Sequence, residues 1–177
     1  MKVVAFAGFS GSGKTHLMEQ LIPALKAHGL RVSVVKHAHH KFDIDHPGKD
    51  TYRHREAGAL EVVAASDKRL VLMREFEQPA QLTAHHLIAE LWEGVDWVLV
   101  EGFRDSDLLK IEVWRPSTGD AVRYPDDDFV AAIATDSPDA LPVPTARPVL
   151  DLNAPDAIAR WLVDSGSRFD YDAELYK

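Results

Sequence analysis

Residues 8–15 carry the clearest chemistry in this chain. They read GFSGSGKT and match the phosphate-loop pattern G-x-x-x-x-G-K-[ST] at every fixed position. In such a loop the glycines let backbone N–H groups converge on phosphate oxygens, and the helix that follows adds partial positive charge at its start. Lys14 is predicted to neutralise the β- and γ-phosphates, and the Thr15 hydroxyl to bind Mg²⁺. The pattern predicts a nucleoside-triphosphate site, with an ordinary glycine-rich turn as the alternative.

The segments on either side of this loop fit the same interpretation. Residues 3–7 (VVAFA) are an apolar run typical of a buried parallel strand. Leu17, Leu21 and Leu25 recur at helical spacing, which predicts a helix from the loop to about His28. Residues 31–36 then predict a second strand, so the loop lies inside a right-handed βαβ unit.

The remaining pattern predicts an α/β layered fold of the phosphate-loop NTPase type, with a mostly parallel sheet and an antiparallel hairpin portion. Predicted strands are 61–65, 70–74, 96–101, 110–114 and 129–134, and predicted helices are 50–57, 80–93 and 155–163. We expect one nucleotide-binding domain over residues 1–163. An acidic tail follows at 164–177, and for it we favour a loose tail over a docked arm.

An acid is expected at the end of a strand near the loop, where it holds Mg²⁺ or its water. Glu101 ends the apolar run 97–100, and Gly102 permits a sharp turn after it. Because ligands bind at the carboxyl edge of a parallel sheet, Glu101 is the predicted acid. The alternative is a solvated glutamate at the end of a strand.

The loop after the second strand is polar and rich in both charges. Asp43, Asp45 or Asp50 is predicted to order the attacking water or to bind Mg²⁺, and Lys49 and Arg53 to bind a second anionic group. A solvated loop is the alternative.

Histidines also concentrate around this loop, at positions 37, 39, 40, 46 and 54. They permit zinc binding, but they lack a dependable ligand spacing, and histidines near a phosphate also serve as neutral donors or partial cations.

Composition narrows the class of protein. The 177 residues are 46% hydrophobic, contain no cysteine and carry a net charge of −8. Disulfides, thiolate metal sites and cysteine nucleophiles are therefore excluded. The negative charge opposes nucleic-acid binding, and no apolar run approaches the ~18 residues of a membrane span. Since the amino end runs straight into a strand, we expect no signal peptide, no membrane contact and a cytoplasmic protein.

Recognition of the base rests on a weaker signal. Asp136 follows the strand that ends in Ile133-Ala134-Thr135, where an aspartate that reads the N1 and N2 donors of guanine would lie. No N-K-x-D or T-K-x-D motif is present. A simple Asp-Ser-Pro turn at the end of the strand is the alternative.

Taken together, these residues resemble the molybdopterin-guanine dinucleotide biosynthesis protein B (MobB) family over about residues 2–163. The resemblance is carried by AGFSGSGKT at 7–15, VVKHAHHKFDIDHPGKDTYRHREAGA at 34–59 and LVEGF at 99–103. It implies a phosphate-loop α/β fold, weak GTPase activity and a link to the step that joins GMP to molybdopterin. A separate guanylyltransferase performs that transfer and is the implied partner protein. Homodimers with sheets joined across the interface are also implied.

Carried over by position, the resemblance assigns GTP and Mg²⁺ as ligands. The nucleotide-binding residues are Gly8, Ser10, Gly11, Ser12, Gly13, Lys14, Thr15, His16, Lys49, Arg53 and Asp136. Thr15, Glu101 and Asp45 would hold the metal, and Lys14, Asp45 and Glu101 would be catalytic. His16 stands where a second Ser or Thr is common.

The predicted function is that of a GTP-binding, slowly hydrolysing accessory protein of molybdenum cofactor maturation, with molybdopterin as a further candidate ligand. An ATP-dependent small-molecule kinase is one rival. It would need a lid with several arginines, whereas the loops 76–82 and 102–109 contain only Arg104. A binding module that cradles a phosphate without hydrolysis is the other rival.

Overall fold

The computed structural model describes residues 1–38 and 43–176. The chain divides into two compact units. The larger unit consists of Met1–His37 and Thr83–Lys177, and the smaller one is Ala38–Leu82.

The larger unit is built on a six-stranded parallel sheet. Its strands are β1 (Lys2–Ala7), β2 (Val32–Lys36), β5 (Trp97–Glu101), β6 (Lys110–Val113), β7 (Val130–Thr135) and β8 (Val149–Asp151). Their spatial order is β2-β5-β1-β6-β7-β8, and every pair is parallel. Helices α1 (Lys14–Ala27), α3 (Ala84–Ala89) and α4 (Pro155–Asp164) belong to the same unit. The predicted α/β class with a mostly parallel sheet is confirmed.

The smaller unit holds helix α2 (Asp50–Glu56) and the hairpin of β3 (Glu61–Ala65) and β4 (Leu70–Arg74). The two strands pair antiparallel, as predicted, and they form a sheet of their own.

Side-chain alternation along the buried strands gives the sheet two apolar faces. On one face Val4 and Phe6 pack with Leu17 and Leu21 of α1. On the other face Val3 and Ala5 pack with Ile88 of α3. The site-bearing end of β1 is therefore held rigidly between two layers of helix.

Two elements differ from the prediction. Helix α3 is shorter than 80–93, because Thr83 caps it by accepting from His86 N and the backbone leaves the helix at Glu90. Strand β8 was missed: it has three residues and lies at the edge of the sheet, so its apolar pattern is too short to detect.

The predicted loose tail is wrong for the segment that follows α4. Phe169 is 2% exposed and packs against Trp97 and Trp161, with ring centroids 5.6 and 5.9 Å away. Asp170 pairs with Lys2 through both backbone and side chain. Burial of this large aromatic ring and the pairing with Lys2 both stabilise the docked segment.

Among the described residues, no helix combines the length and the apolar character needed to cross a bilayer.

Candidate nucleotide-binding site

The phosphate loop connects β1 to α1 and has the backbone that its glycines permit. Gly8, Gly11 and Gly13 all have positive φ, at 141°, 82° and 102°. A Cβ on Gly8 would lie 2.3 Å from the Val113 carbonyl oxygen, so no side chain fits there. Gly13 is the N-cap of α1 and has no side chain to cap it, which leaves the first N–H groups of the helix available to an anion.

Lys14 lies across this loop. Its Nζ donates to the carbonyl oxygens of Gly8 and Phe9, at 2.8 and 2.7 Å. Burial lowers the pKa of the Lys14 amine, and the negative charge of Glu101 opposes that shift. The amine is therefore held over the loop, where the phosphates of a nucleotide would lie.

Glu101 faces Thr15, as the sequence predicts for a metal site. The Thr15 hydroxyl donates to Glu101 Oε1 at 2.5 Å, and Lys36 Nζ donates to Oε2 at 2.7 Å. Burial alone would raise the pKa of Glu101, but the hydrogen bonds from Lys36 and Thr15 bring that pKa below its ordinary value. The carboxylate is thus kept ionised.

This donor set suits Mg²⁺, which prefers oxygen ligands and binds through one or two side chains together with phosphates. A hydroxyl and a carboxylate oxygen 2.5 Å apart lie within the span of one ion's ligands. Ser12 Oγ is also buried and has no hydrogen-bond partner among the described residues, which leaves an uncommitted polar atom in the loop. The residues present therefore fit a metal–phosphate group.

The backbone turns sharply directly after Glu101. Gly102 has a φ of 92°, and Phe103, a non-glycine residue, has a φ of 49°. A left-handed conformation costs a non-glycine residue about 1–2 kcal/mol. The Phe103 ring stacks on His37 with centroids 4.6 Å apart, and that contact helps to hold the turn.

Arg115 is a site residue that the sequence analysis missed. Its guanidinium lies 3.5 Å from the position of a Cβ on Gly13, and its Nε lies 3.2 Å from Asp136 Oδ2, misaligned for a hydrogen bond. Arg115 lies outside the loops 76–82 and 102–109, where the arginines of a kinase lid would be expected. Its position in the sequence could have identified it. Arg115 comes just after β6, and ligands bind at the carboxyl edge of a parallel sheet.

Asp136 directly follows β7 at the same edge of the sheet. Its side chain is 30% exposed, and Ser137 Oγ donates to its Oδ1 at 3.0 Å. The structure thus connects the predicted base-reading residue to the phosphate loop through Arg115. His16, by contrast, is a solvent-facing residue of α1, with a side chain 71% exposed.

The other predicted residues belong to the smaller unit. Asp45 is 8% exposed there, accepts from Thr51 Oγ1 at 3.0 Å and pairs with Arg55 Nη1 at 3.3 Å. Lys49 is the exposed N-cap residue of α2, and Arg53 lies 3.7 Å from Asp50. Their contacts with a nucleotide remain predictions.

The zinc hypothesis finds no support in the part of the chain that is described. No group of three or more potential ligands from histidine, aspartate and glutamate forms a metal cluster there. His39 and His40 lie outside the described residues.

Comparison with known proteins agrees with this geometry. The family described as molybdopterin guanine dinucleotide synthesis protein B (MobB) matches residues 3–136. The molybdopterin-guanine dinucleotide biosynthesis adapter protein of Escherichia coli is 38% identical over 167 residues, which covers 92% of this chain and 91% of that protein. The adapter protein of Haemophilus influenzae is also 38% identical over 167 residues, covering 90% and 89%.

A solved structure gives the same result. The crystal structure of a MobB protein homolog from Bacillus stearothermophilus superposes with a TM-score of 0.70 at 27% identity, and the match covers 93% of this chain and 97% of that one. The phosphate loop, the acid opposite Thr15 and the match over most of the sequence lead to one conclusion: this chain belongs to the MobB family.

Proposed function

We propose that this protein binds GTP with Mg²⁺ at the phosphate loop, hydrolyses it slowly, and assists the attachment of GMP to molybdopterin. The observation that carries the proposal is the 2.5 Å contact between Thr15 and Glu101, directly beside the first turn of α1. The relatives in Escherichia coli and Haemophilus influenzae, which are named as adapter proteins of this biosynthesis, support the biological role.

The site residues of the larger unit have distinct roles in this proposal. Bound Mg²⁺ would neutralise charge on the β- and γ-phosphates. Thr15 and Glu101 hold the metal, Lys14 contacts the phosphates, and the loop N–H groups bind their oxygens. Asp45 is the second candidate acid, although its carboxylate already pairs with Arg55 and Thr51. Because the sequence shows no obvious arginine finger, we expect turnover without a partner to be slow.

The adapter role requires a partner, and we propose the guanylyltransferase, with molybdopterin as a further ligand. We also propose a homodimer that uses the hairpin. Val63, Leu70 and Leu72 are 61%, 70% and 41% exposed on it, and exposed strands with apolar side chains are adhesive. Sedimentation measures the assembly, and a monomer at every concentration would contradict the dimer.

Competition between GTP and ATP in the presence of Mg²⁺ tests the nucleotide assignment. We expect GTP to bind at least about tenfold more tightly, or ~1.4 kcal/mol, because Asp136 can accept from both the N1–H and the N2–H₂ of guanine, whereas adenine has no donor at either position. Asp136→Ala should remove the preference, while Asp139→Ala, an exposed carboxylate three residues further on, should keep it. A preference for ATP would refute the role of Asp136, and no GTP binding at all would refute the function.

A single-turnover assay with GTP separates slow hydrolysis from a non-hydrolysing module. Phosphate release over hours supports hydrolysis. No release by a protein that binds GTP would favour the module.

A further inference from the structure

Lys36 is a cation of this site to which the proposed function gives no task. It ends β2, and its backbone is the register partner of Glu101 on the neighbouring strand β5. Its Nζ lies 2.7 Å from Glu101 Oε2. The Lys36 side chain is 56% exposed, whereas that of Glu101 is 13% exposed.

The Glu101 carboxylate is fully divided between two donors. Oε1 accepts from the Thr15 hydroxyl and Oε2 accepts from Lys36. A divalent ion bound to Thr15 and Glu101 would replace the first contact and place two positive charges beside the Lys36 amine. At such distances like charges repel, so the metal and the Lys36 amine cannot both hold this carboxylate at full strength.

We propose that Lys36 is a stand-in for the metal: it neutralises Glu101 whenever Mg²⁺ is absent and leaves the carboxylate when the metal arrives. This inference rests on the proposed Mg²⁺–GTP site. Because Lys36 is largely exposed, its side chain has room to turn toward water or toward a phosphate oxygen.

The stand-in role has a measurable consequence. Lys36 supplies positive charge near the phosphates when the metal is missing, and it must be displaced when the metal binds. Both effects reduce the factor by which Mg²⁺ tightens GTP binding. A purely structural pair between neighbouring strands would change the stability of the sheet and leave that factor alone.

The experiment measures the GTP dissociation constant by calorimetry, once in EDTA and once in Mg²⁺. The ratio is the dissociation constant in EDTA divided by that in Mg²⁺. We expect Lys36→Met to raise this ratio at least about fivefold over the unmodified protein, within the usual range of coupling between two ligands. The increase should come from weaker binding in EDTA, with binding in Mg²⁺ equal or tighter. Lys36→Arg, which keeps the charge, should restore a ratio near the original.

Two controls make the result decisive. Lys26→Met removes an exposed lysine of α1 and should leave the ratio unchanged, while Glu101→Gln should bring the ratio close to one. If Lys36→Met binds GTP with a ratio within about twofold of the unmodified protein, the stand-in role is overturned and the nucleotide site stands. If the unmodified protein binds no GTP in either buffer, the proposed function fails, and the stand-in role fails with it.

Discussion

Two lysine–carboxylate clusters are built around strands of the same parallel sheet, and they differ in how far the lysine is exposed to solvent. At the site, Lys36 and Glu101 meet with the lysine 56% exposed. On β6, Lys110 is 1% exposed and pairs with Asp127 at 3.1 Å. Both clusters pair a lysine with a carboxylate, so this pairing alone does not separate a binding site from a structural pair.

The burial of the lysine and the use of its donors separate them. Lys110 Nζ donates to Asp127 Oδ2 and to the carbonyl oxygens of Arg104 and Ser106, at 3.1, 3.2 and 2.8 Å. An ammonium group has three donors, and all of them are used. Glu112 on the same strand accepts from Arg123 N and Tyr124 N. The Lys110 amine therefore has no donor left for a ligand, whereas the N–H groups at the start of α1 have no capping side chain.

Lys110→Met gives the sharpest test of this contrast. We expect a loss of about 3–5 kcal/mol in the free energy of unfolding, because the Asp127 carboxylate is left without its buried partner. Urea denaturation measures the loss, and Lys26→Met, on the surface of α1, should stay within about 0.5 kcal/mol. GTP affinity of the folded variant should be unchanged. If Lys110→Met lowered the free energy of unfolding by no more than the surface substitution Lys26→Met, the Lys110 cluster would not be a structural pair.

Lys14→Ala should show the reverse pattern. We expect GTP to bind about a hundredfold more weakly, because removing one charged partner of a phosphate contact costs about 3 kcal/mol. The free energy of unfolding should hardly change, since the amine donates only to loop carbonyls that water can reach instead. Calorimetry and urea denaturation of the same preparation measure both, with Lys26→Ala as the matched control. Unchanged GTP affinity would remove Lys14 from the site.

Glu112→Gln should give the smallest effect and a characteristic pH dependence. Burial raises the pKa of Glu112, against the hydrogen bonds from Arg123 N and Tyr124 N. Between the unfolded pKa of about 4.5 and the raised folded pKa, the folded protein therefore holds a proton that the unfolded chain has released. The resulting stability is present below 4.5 and is lost as pH rises through the folded pKa.

Glutamine cannot ionise and has one acceptor oxygen, so one N–H is left unsatisfied at a cost of about 1 kcal/mol. We expect the unmodified protein to be the more stable one at pH 4, with the gap narrowing as pH rises. Urea denaturation over a pH series measures the gap, and a gap that widens with pH would contradict the raised pKa.

The local chemistry of the site was predictable from the sequence. The phosphate loop and Glu101 each follow a buried apolar run, and such runs locate the carboxyl edge of a sheet without knowledge of the strand order. Arg115 and Lys36 were not assigned roles, because what matters for them is which strands are neighbours. That order, β2-β5-β1-β6, is a property of the whole sheet.

The tail is a second case in which local sequence does not predict a long-range contact. Phe169 stands among acids and small residues, so its neighbourhood in the sequence resembles a solvated segment. It is buried because Trp97 and Trp161, distant along the chain, form a surface that receives it. Local composition cannot report a surface formed by residues that far apart.

The left-handed turn at Gly102 and Phe103 connects Glu101 to a ring contact at the end of the neighbouring strand. Directly after the Glu101 carboxylate, Gly102 and Phe103 both have positive φ, a conformation that glycine adopts readily and phenylalanine does not. The Phe103 ring stacks on His37, the last residue of the larger unit before the chain enters the smaller unit. The proposed metal ligand is therefore separated from the end of the Met1–His37 segment by a single turn and one ring contact.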